Sequence, residues 1–381
     1  MLSQKKFALL HAFFKADCKG GGEKTSLLIR NHYRADLFTG FVGRETWRPE
    51  SPDPFSRMLY DKKYRLTVFH EESKIPYWRK VKRQLAFFFN GHKLNGYDVV
   101  VFGGNIGLAA GRITDKKTKK VLYCYTPPRP FTDQLETRLQ EMAFWQRPFM
   151  KLFAGWVKYQ YKKDALRMDL IIADSKNVQK RLKKFFNIES KVIYPPVETG
   201  KFTWLGQEDY FLSYARLEPL KRIPLLLDAF EKMPEKKLVI CSSGPLKGWL
   251  EKEIKERGLD NVVYEGLVSD ERLKELVGKC LAGIYIPVDE DAGIIQCELM
   301  AAGKPVIGVD EGGLKETVVH EETGLLIKKD PLANDLIQAI YELTPEKALS
   351  MKRNCVKKAK QYDINSFFEQ MDSQIEGLYK G

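Results

Sequence analysis

The sequence predicts an α/β protein built from two doubly wound domains, on three observations. At 381 residues the chain is long enough for two domains of ordinary size and too long for one comfortable core. Its second half alternates short apolar runs with helical segments at short loop lengths, the order expected of a parallel sheet covered by helices on both faces. Its first half repeats the theme less regularly. Hydrophobic content of 44% and charged content of 30% suit a folded, globular chain.

Along the first half, strands are expected at Phe7 to His11, Arg65 to Phe69, Val99 to Phe102, Lys120 to Tyr125, Leu170 to Ala173 and Lys191 to Tyr194. The run Phe7 to Phe14, behind Lys5 and Lys6, imitates a signal peptide. It is short, it is broken by Lys15 and Asp17, and a Gly-rich loop follows where a cleavage site would stand, so it reads as a first buried strand. Tyr194-Pro-Pro-Val197 cannot continue a helix and reads as an extended connector. The expected domains are therefore 1–198, joined by a terminal helix at 364–381, and 199–363.

In the second half, strands are expected at Tyr210 to Tyr214, Leu238 to Cys241, Val262 to Tyr264, Ala282 to Ile286, Pro305 to Val309 and Gly324 to Ile327. Helices are expected at Ile223 to Lys232, Leu246 to Arg257, Asp270 to Leu276 and Gln296 to Ala302, the last stopping at Gly303. No apolar run approaches the length needed to span a bilayer. Six scattered cysteines without CxxC spacing indicate neither a disulfide framework nor a zinc site, which fits a reducing cytoplasm.

Charge is lopsided. Residues 1–200 carry 38 Lys and Arg against 19 Asp and Glu, and residues 201–381 carry 25 against 31. A basic first half suggests that it meets something anionic. Tyr77-Trp-Arg-Lys-Val-Lys-Arg83 and the run Phe144 to Lys158 interleave aromatics with cations. That pattern suits a helix lying in a membrane interface. The competing reading makes the aromatics the domain's own core and the cations a solvated rim. Single-stranded nucleic acid also fits aromatics with cations, but no recognised nucleic-acid motif accompanies them, so no nucleic acid is expected.

The chemistry concentrates at carboxyl ends of strands, where doubly wound sheets bind ligands. Glu290 and Glu298 stand eight positions apart across Gly293, just before and within a helix start. One carboxylate can take sugar hydroxyls and the other those of a ribose, while backbone N–H groups at the helix start can face phosphate. Arg216 and Lys221 lie in a strand-to-helix loop, where two fixed cations can hold a pyrophosphate. Gly244-Pro245 is a tight turn able to approach a flat base. Lys19-Gly-Gly-Gly-Glu23 follows the first strand and offers the N–H groups of Gly20 and Gly21 to phosphate across a cleft. Each piece alone has a bland counterpart: glutamates eight apart usually lie on a solvated face, basic loop residues are usually just solvated, and a glycine triplet is usually a flexible turn.

Taken in order, these pieces closely resemble the retaining nucleotide-sugar glycosyltransferases of family 4, which have the GT-B fold. The family's G-R-L-x-x-x-K pattern stands here as Ala215-Arg216-Leu217 through Lys221, its G-P turn as Gly244-Pro245, and its E-G-F-G-x-x-x-x-E as Glu290 through Glu298. Ala301 to Ile307 matches A-x-G-x-P-V-I. Ala173-Asp-Ser175, Val192 to Val197 and Thr126-Pro-Pro-Arg129 are similar to the mannosyltransferase branch that extends lipid-linked or surface glycans.

The resemblance implies a division of labour. Arg216 and Lys221 bind the donor diphosphate, Glu298 the ribose, and Glu290 the transferred sugar, with backbone N–H groups near Ala292, Gly293 and Ile294 helping. Gly20 and Gly21 close on the phosphate from the other side. It implies no required cofactor or metal, a nucleotide-sugar donor (GDP-mannose favoured, a UDP-sugar possible), a glycan or lipid-linked acceptor, and a peripheral place on the inner face of the membrane. Two departures stand out. Tyr125 occupies the position before Thr126-Pro-Pro where the family often carries histidine, and it is taken as a fourth catalytic candidate beside Glu290, Arg216 and Lys221. Asp291 and Ala292 replace the usual pair beside Glu290. The departures imply an altered acceptor or sugar, the favoured reading because the charged donor residues are intact, or an impaired enzyme; for the function as a whole, a nucleotide-sugar-binding protein without transfer and an epimerase on the same fold are the alternatives.

Overall fold

The structure is a computed structural model that describes residues 2–14, 20–43, 46–51, 53–69 and 76–380, the side chains of 76–81 and 83 excepted. Lys15, Asp17, Cys18, Lys19 and the side chains of the Tyr77–Arg83 run other than Lys82 lie outside the described residues, so the readings placed on them are not taken further. Two compact units emerge: Met1–Tyr194 with Glu369–Gly381, and Pro195–Phe368.

The first unit holds strands β1 (Phe7–His11), β2 (Asp36–Thr39), β3 (Leu66–Val68), β4 (Val99–Gly103), β5 (Lys119–Cys124), β6 (Leu170–Ala173) and β7 (Lys191–Val192). Their order is β3-β2-β1-β4-β5-β6-β7 and each ladder is parallel. β1 and β4 are buried along their whole length, the continuous apolar reading expected of strands covered on both faces. Helices α1 (Gly21–Tyr33), α2 (Pro54–Leu59), α3 (Pro76–Asn90), α4 (Leu135–Gln140), α5 (Arg147–Ala165) and α6 (Lys176–Phe186) connect them. Local chemistry sets their ends: the Ser175 hydroxyl accepts from the Val178 N–H at the start of α6, and Asn187 closes it in the left-handed conformation. Leu10, Phe38, Phe102, Leu122, Tyr161 and Phe186 belong to one buried cluster that seals sheet to helices.

The second unit holds β8 (Phe211–Ser213), β9 (Leu238–Ile240), β10 (Val262–Tyr264), β11 (Ala282–Tyr285), β12 (Val306–Val309) and β13 (Gly324–Ile327), ordered β10-β9-β8-β11-β12-β13 and parallel throughout. Its helices are α7 (Ile223–Phe230), α8 (Lys247–Glu256), α9 (Asp270–Lys279), α10 (Ile295–Ala301), α11 (Leu314–Thr317), α12 (Ala333–Glu342), α13 (Pro345–Ala359) and α14 (Ile364–Gly377). From Glu369 onward α14 belongs to the first unit, where the Tyr33 hydroxyl donates to Asp372 Oδ1 at 2.7 Å.

Both sheets reverse their strand order once, between β1 and β4 and between β8 and β11. Such a reversal parts the loops that leave the two strands and opens a crevice at their carboxyl ends. The predicted doubly wound α/β architecture is therefore the observed one, twice. β2 is an addition: its four residues Asp-Leu-Phe-Thr carry no run long enough to announce a strand, and pairing on both sides with β1 and β3 makes it one.

Candidate active site

In the second unit the loops that leave the two switch-point strands are laced together. After β8 the chain passes Arg216 and a 3-10 turn (Pro219–Lys221), then bends through Arg222 in the left-handed conformation into α7. That bend sends the Arg222 guanidinium to the carbonyls of Ile286 and Pro287, each at 3.0 Å, and to Glu311 Oε1 at 2.6 Å. The Val288 N–H returns a bond to Leu220 O at 2.7 Å. One side chain thus fixes the loops after β8, β11 and β12 to one another.

Within that frame Lys221 Nζ forms an ion pair with Glu290 Oε2. The Tyr285 hydroxyl donates to the same carboxylate oxygen at 2.9 Å and lies 3.2 Å from Lys221 Nζ. Lys221 and Glu290 keep 16% and 23% of their side-chain surface, enough for a ligand to reach both. Burial, then the Glu290 charge, pushes the Tyr285 phenol well above its ordinary value, so it stays a neutral donor. Eight residues on, Glu298 sits in the first turn of α10, where the Tyr214 hydroxyl donates to its Oε2 at 3.0 Å and lies 3.1 Å from Ile295 O. Arg216 pairs with Glu218 Oε1 at 2.5 Å. The structure therefore gathers Arg216, Lys221, Glu290 and Glu298 on the loops and helix start at the carboxyl edge of one sheet, and holds Glu290 and Glu298 each by a tyrosine.

The loop between the two glutamates is shaped from below. Gly293 takes φ +74°, and the buried Gln296 amide donates to Ala292 O at 3.0 Å, to Gly293 O at 3.3 Å and to Thr317 Oγ1 at 3.0 Å. Ala292, Gly293 and Ile294 lead directly into α10. Gly312 and Gly313, after β12, provide the floor. A side chain on Gly312 would stand 2.4 Å from Glu290 O, one on Gly313 would stand 2.4 Å from Asp291 O, and the Gly313 N–H donates to Glu290 O at 2.8 Å. Gly244-Pro245 has a similar task. A side chain on Gly244 would meet Leu217 O at 2.6 Å, while Leu217 N–H bonds Ser243 O and Leu246 N–H bonds Leu217 O. The turn thus packs tightly against the loop that carries Arg216.

In the first unit, Gly20 caps α1, and Gly21 and Gly22 open it. The Glu23 carboxylate folds back over this end, where a side chain on Gly20 would meet its Oε2 at 2.4 Å. Tyr125 follows β5 and lies against Gly22 and Gly104. Its hydroxyl is 2.7 Å from Ser26 Oγ, which is in turn 2.8 Å from His11 Nδ1. Burial lowers the His11 imidazole to about 4, so it is neutral near pH 7, and burial likewise keeps the Tyr125 phenol protonated. A histidine does stand at this edge, but at the end of β1 and linked to Tyr125 through a serine.

The sequence reading named neither His11 and Ser26 nor Tyr214, Tyr285 and the Glu311-Gly312-Gly313 run as site residues. Small residues after β12 and aromatics closing β8 and β11 were the available signals.

Residues 198–362 match the family described as glycosyl transferases group 1. An uncharacterized glycosyltransferase of Methanocaldococcus jannaschii is 31% identical over 180 residues, covering 41% of this chain and 46% of that relative, so this match spans about half of the relative's length. The alpha-1,3/1,6-mannosyltransferase ALG2 of Dictyostelium discoideum is 27% identical over 329 residues, covering 74% of each chain. Among solved structures, the sucrose-phosphate synthase of Thermosynechococcus elongatus superposes over 99% of this chain and 100% of its own with a TM-score of 0.77 at 18% identity, which establishes the shared GT-B fold.

Proposed function

We propose that this chain, whose residues 198–362 match the group 1 glycosyl transferases, transfers a hexose from a nucleotide-sugar donor to a lipid-linked or surface-glycan acceptor with retention of anomeric configuration. Mannose from GDP-mannose is the favoured donor, since a mannosyltransferase relative aligns over three quarters of the chain. The observation that carries the reading is the Lys221–Glu290–Tyr285 cluster at the β8/β11 switch point, with Glu298 in the first turn of α10.

In this reading the donor diphosphate takes Lys221 and Arg216 from their present carboxylate partners. Two fixed cations then neutralise charge as the anomeric carbon–oxygen bond breaks. Glu290 is released to sugar hydroxyls, and Glu298 binds the ribose. The acceptor hydroxyl bonds to the anomeric carbon on the face the diphosphate leaves, and its proton passes to a departing diphosphate oxygen. The protein's part is positioning and charge stabilisation. The cation pair supplies what a divalent ion would otherwise supply, so transfer is expected to persist in a chelator.

The test is transfer from a panel of GDP- and UDP-sugars to short-chain lipid-linked acceptors, with the anomeric configuration read by NMR. Retained configuration from one donor, lost in Lys221→Ala, supports the reading. Donor turnover without acceptor to an epimer, or binding without any transfer, would replace it.

A further inference from the structure

Arg222 follows Lys221 directly and closes the 3-10 turn of Pro219–Lys221 at φ +52°. That left-handed conformation favours glycine, which bears no Cβ, or asparagine, so an arginine there needs bonds that hold it. Its side chain makes them. One terminal nitrogen donates to the carbonyls of Ile286 and Pro287, and the other pairs with Glu311. Arg222 keeps 12% of its side-chain surface and Glu311 5%, so the pair is largely shut from water. Asp330, 3.4 Å from the second nitrogen but 74% exposed, is a rim contact that adds little.

A buried ion pair is poor evidence for stability, because desolvation offsets most of the attraction and a well-packed apolar pair can do as well. What this pair fixes is geometry, and the geometry is that of the candidate site. Each leg of the clamp lies a short step along the backbone from a residue of the Lys221–Tyr285–Glu290 cluster. Lys221 is one residue before Arg222, Tyr285 is one before Ile286, and Glu290 is three after Pro287. Glu311 leads into Gly312 and Gly313, and the Gly313 N–H donates to Glu290 O at 2.8 Å. The Lys221 ammonium and the Glu290 carboxylate therefore stand on three loops whose spacing one guanidinium sets. A lysine in its place would carry the charge but not the planar fork that reaches two carbonyls and a carboxylate at once.

We propose that Arg222, with Glu311 as its buried counter-ion, is a positioning residue for Lys221: it holds that lysine where the donor diphosphate is bound, and so sets the affinity for a nucleoside diphosphate and not that for the nucleoside alone. The inference rests on the donor-site reading above and adds to it two residues that need touch no donor atom.

The experiment compares wild type with Arg222→Met/Glu311→Leu, which removes both charges together and leaves neither buried alone. Binding of GDP and UDP is read by calorimetry, binding of guanosine and uridine by ligand-observed NMR, and folding by melting. The double variant should melt close to wild type and bind the nucleoside as before. It should bind the diphosphate on the order of 10- to 100-fold more weakly, the effect of misplacing a charged group by about an ångström. Arg222→Lys should lose part of the same affinity. In a Lys221→Ala background the double replacement should cost no further affinity, because Arg222 acts through that lysine. Diphosphate affinity unchanged in the double variant, nucleoside and diphosphate weakened alike, a further loss in the Lys221→Ala background, or a double variant that no longer folds would each overturn the proposal and leave the donor-site reading standing. A wild type that binds no nucleotide would overturn that reading, and this inference with it.

Discussion

Lys221 and Glu290 neutralise each other beside a tyrosine, and that pairing sets what each substitution does. Lys221→Ala strips the diphosphate of a fixed cation and leaves Glu290 facing it; transfer should fall by on the order of 100- to 1000-fold, read as kcat under saturating donor. Ser26 and Tyr125 act as one unit, since the hydroxyl of one holds the hydroxyl of the other. Ser26→Ala and Tyr125→Phe should each lower kcat/KM severalfold, the worth of about one hydrogen bond, and the double variant should lose little more than either. Additive losses would separate the two residues. His11 supplies a pH prediction. Its folded value of about 4 lies below the ordinary 6.5, so between those values the unfolded chain binds more protons than the folded one. Its contribution is full above pH 6.5 and is lost as pH falls toward 4. Stability curves of wild type and His11→Gln should therefore converge on acidification across that window, by up to about 3 kcal/mol.

At the scale of elements, the site is built from loops that hold loops. Gly244 shows this most directly: it takes φ +158° and leaves no room for a side chain against Leu217. Gly244→Ala should cost roughly 1–3 kcal/mol in thermal or urea unfolding and also weaken donor binding, because it displaces the segment that carries Arg216. Loss of stability with donor affinity intact would detach the turn from the site. Most strands were legible in the sequence because buried parallel strands read as apolar runs bounded by turn residues, as at Phe7–His11, Val262–Tyr264 and Gly324–Ile327. β2 was not, since its strand character comes from two neighbours. β7 stops at Val192, shorter than expected. The four charged residues of the second unit were legible because each sits at a strand or helix end at characteristic spacing. The supports were not: Gly312 and Gly313 lie some twenty residues from Glu290, and only the pairing of β11 with β12 brings their loops together. His11 and Ser26 were hidden for the same reason, one closing a strand and the other inside a helix.

At the scale of the whole molecule, charge and fold divide the labour. The basic excess lies in residues 1–200, which also carry the exposed aromatics of α5 (Phe149, Trp156 and Tyr159), while the acidic remainder carries the donor-site candidates. The same doubly wound order appears in both units, and each places its candidate residues at its own switch point. The central claim is that the second of these edges binds a nucleotide sugar. Calorimetry with a panel of GDP- and UDP-sugars, on wild type and Glu298→Ala in a chelating buffer, tests it most directly. The account predicts that one donor binds the wild type and that Glu298→Ala weakens it on the order of 10- to 100-fold, the worth of hydrogen bonds to a charged carboxylate. No binding by any donor, or binding that Glu298→Ala leaves unchanged, would contradict it.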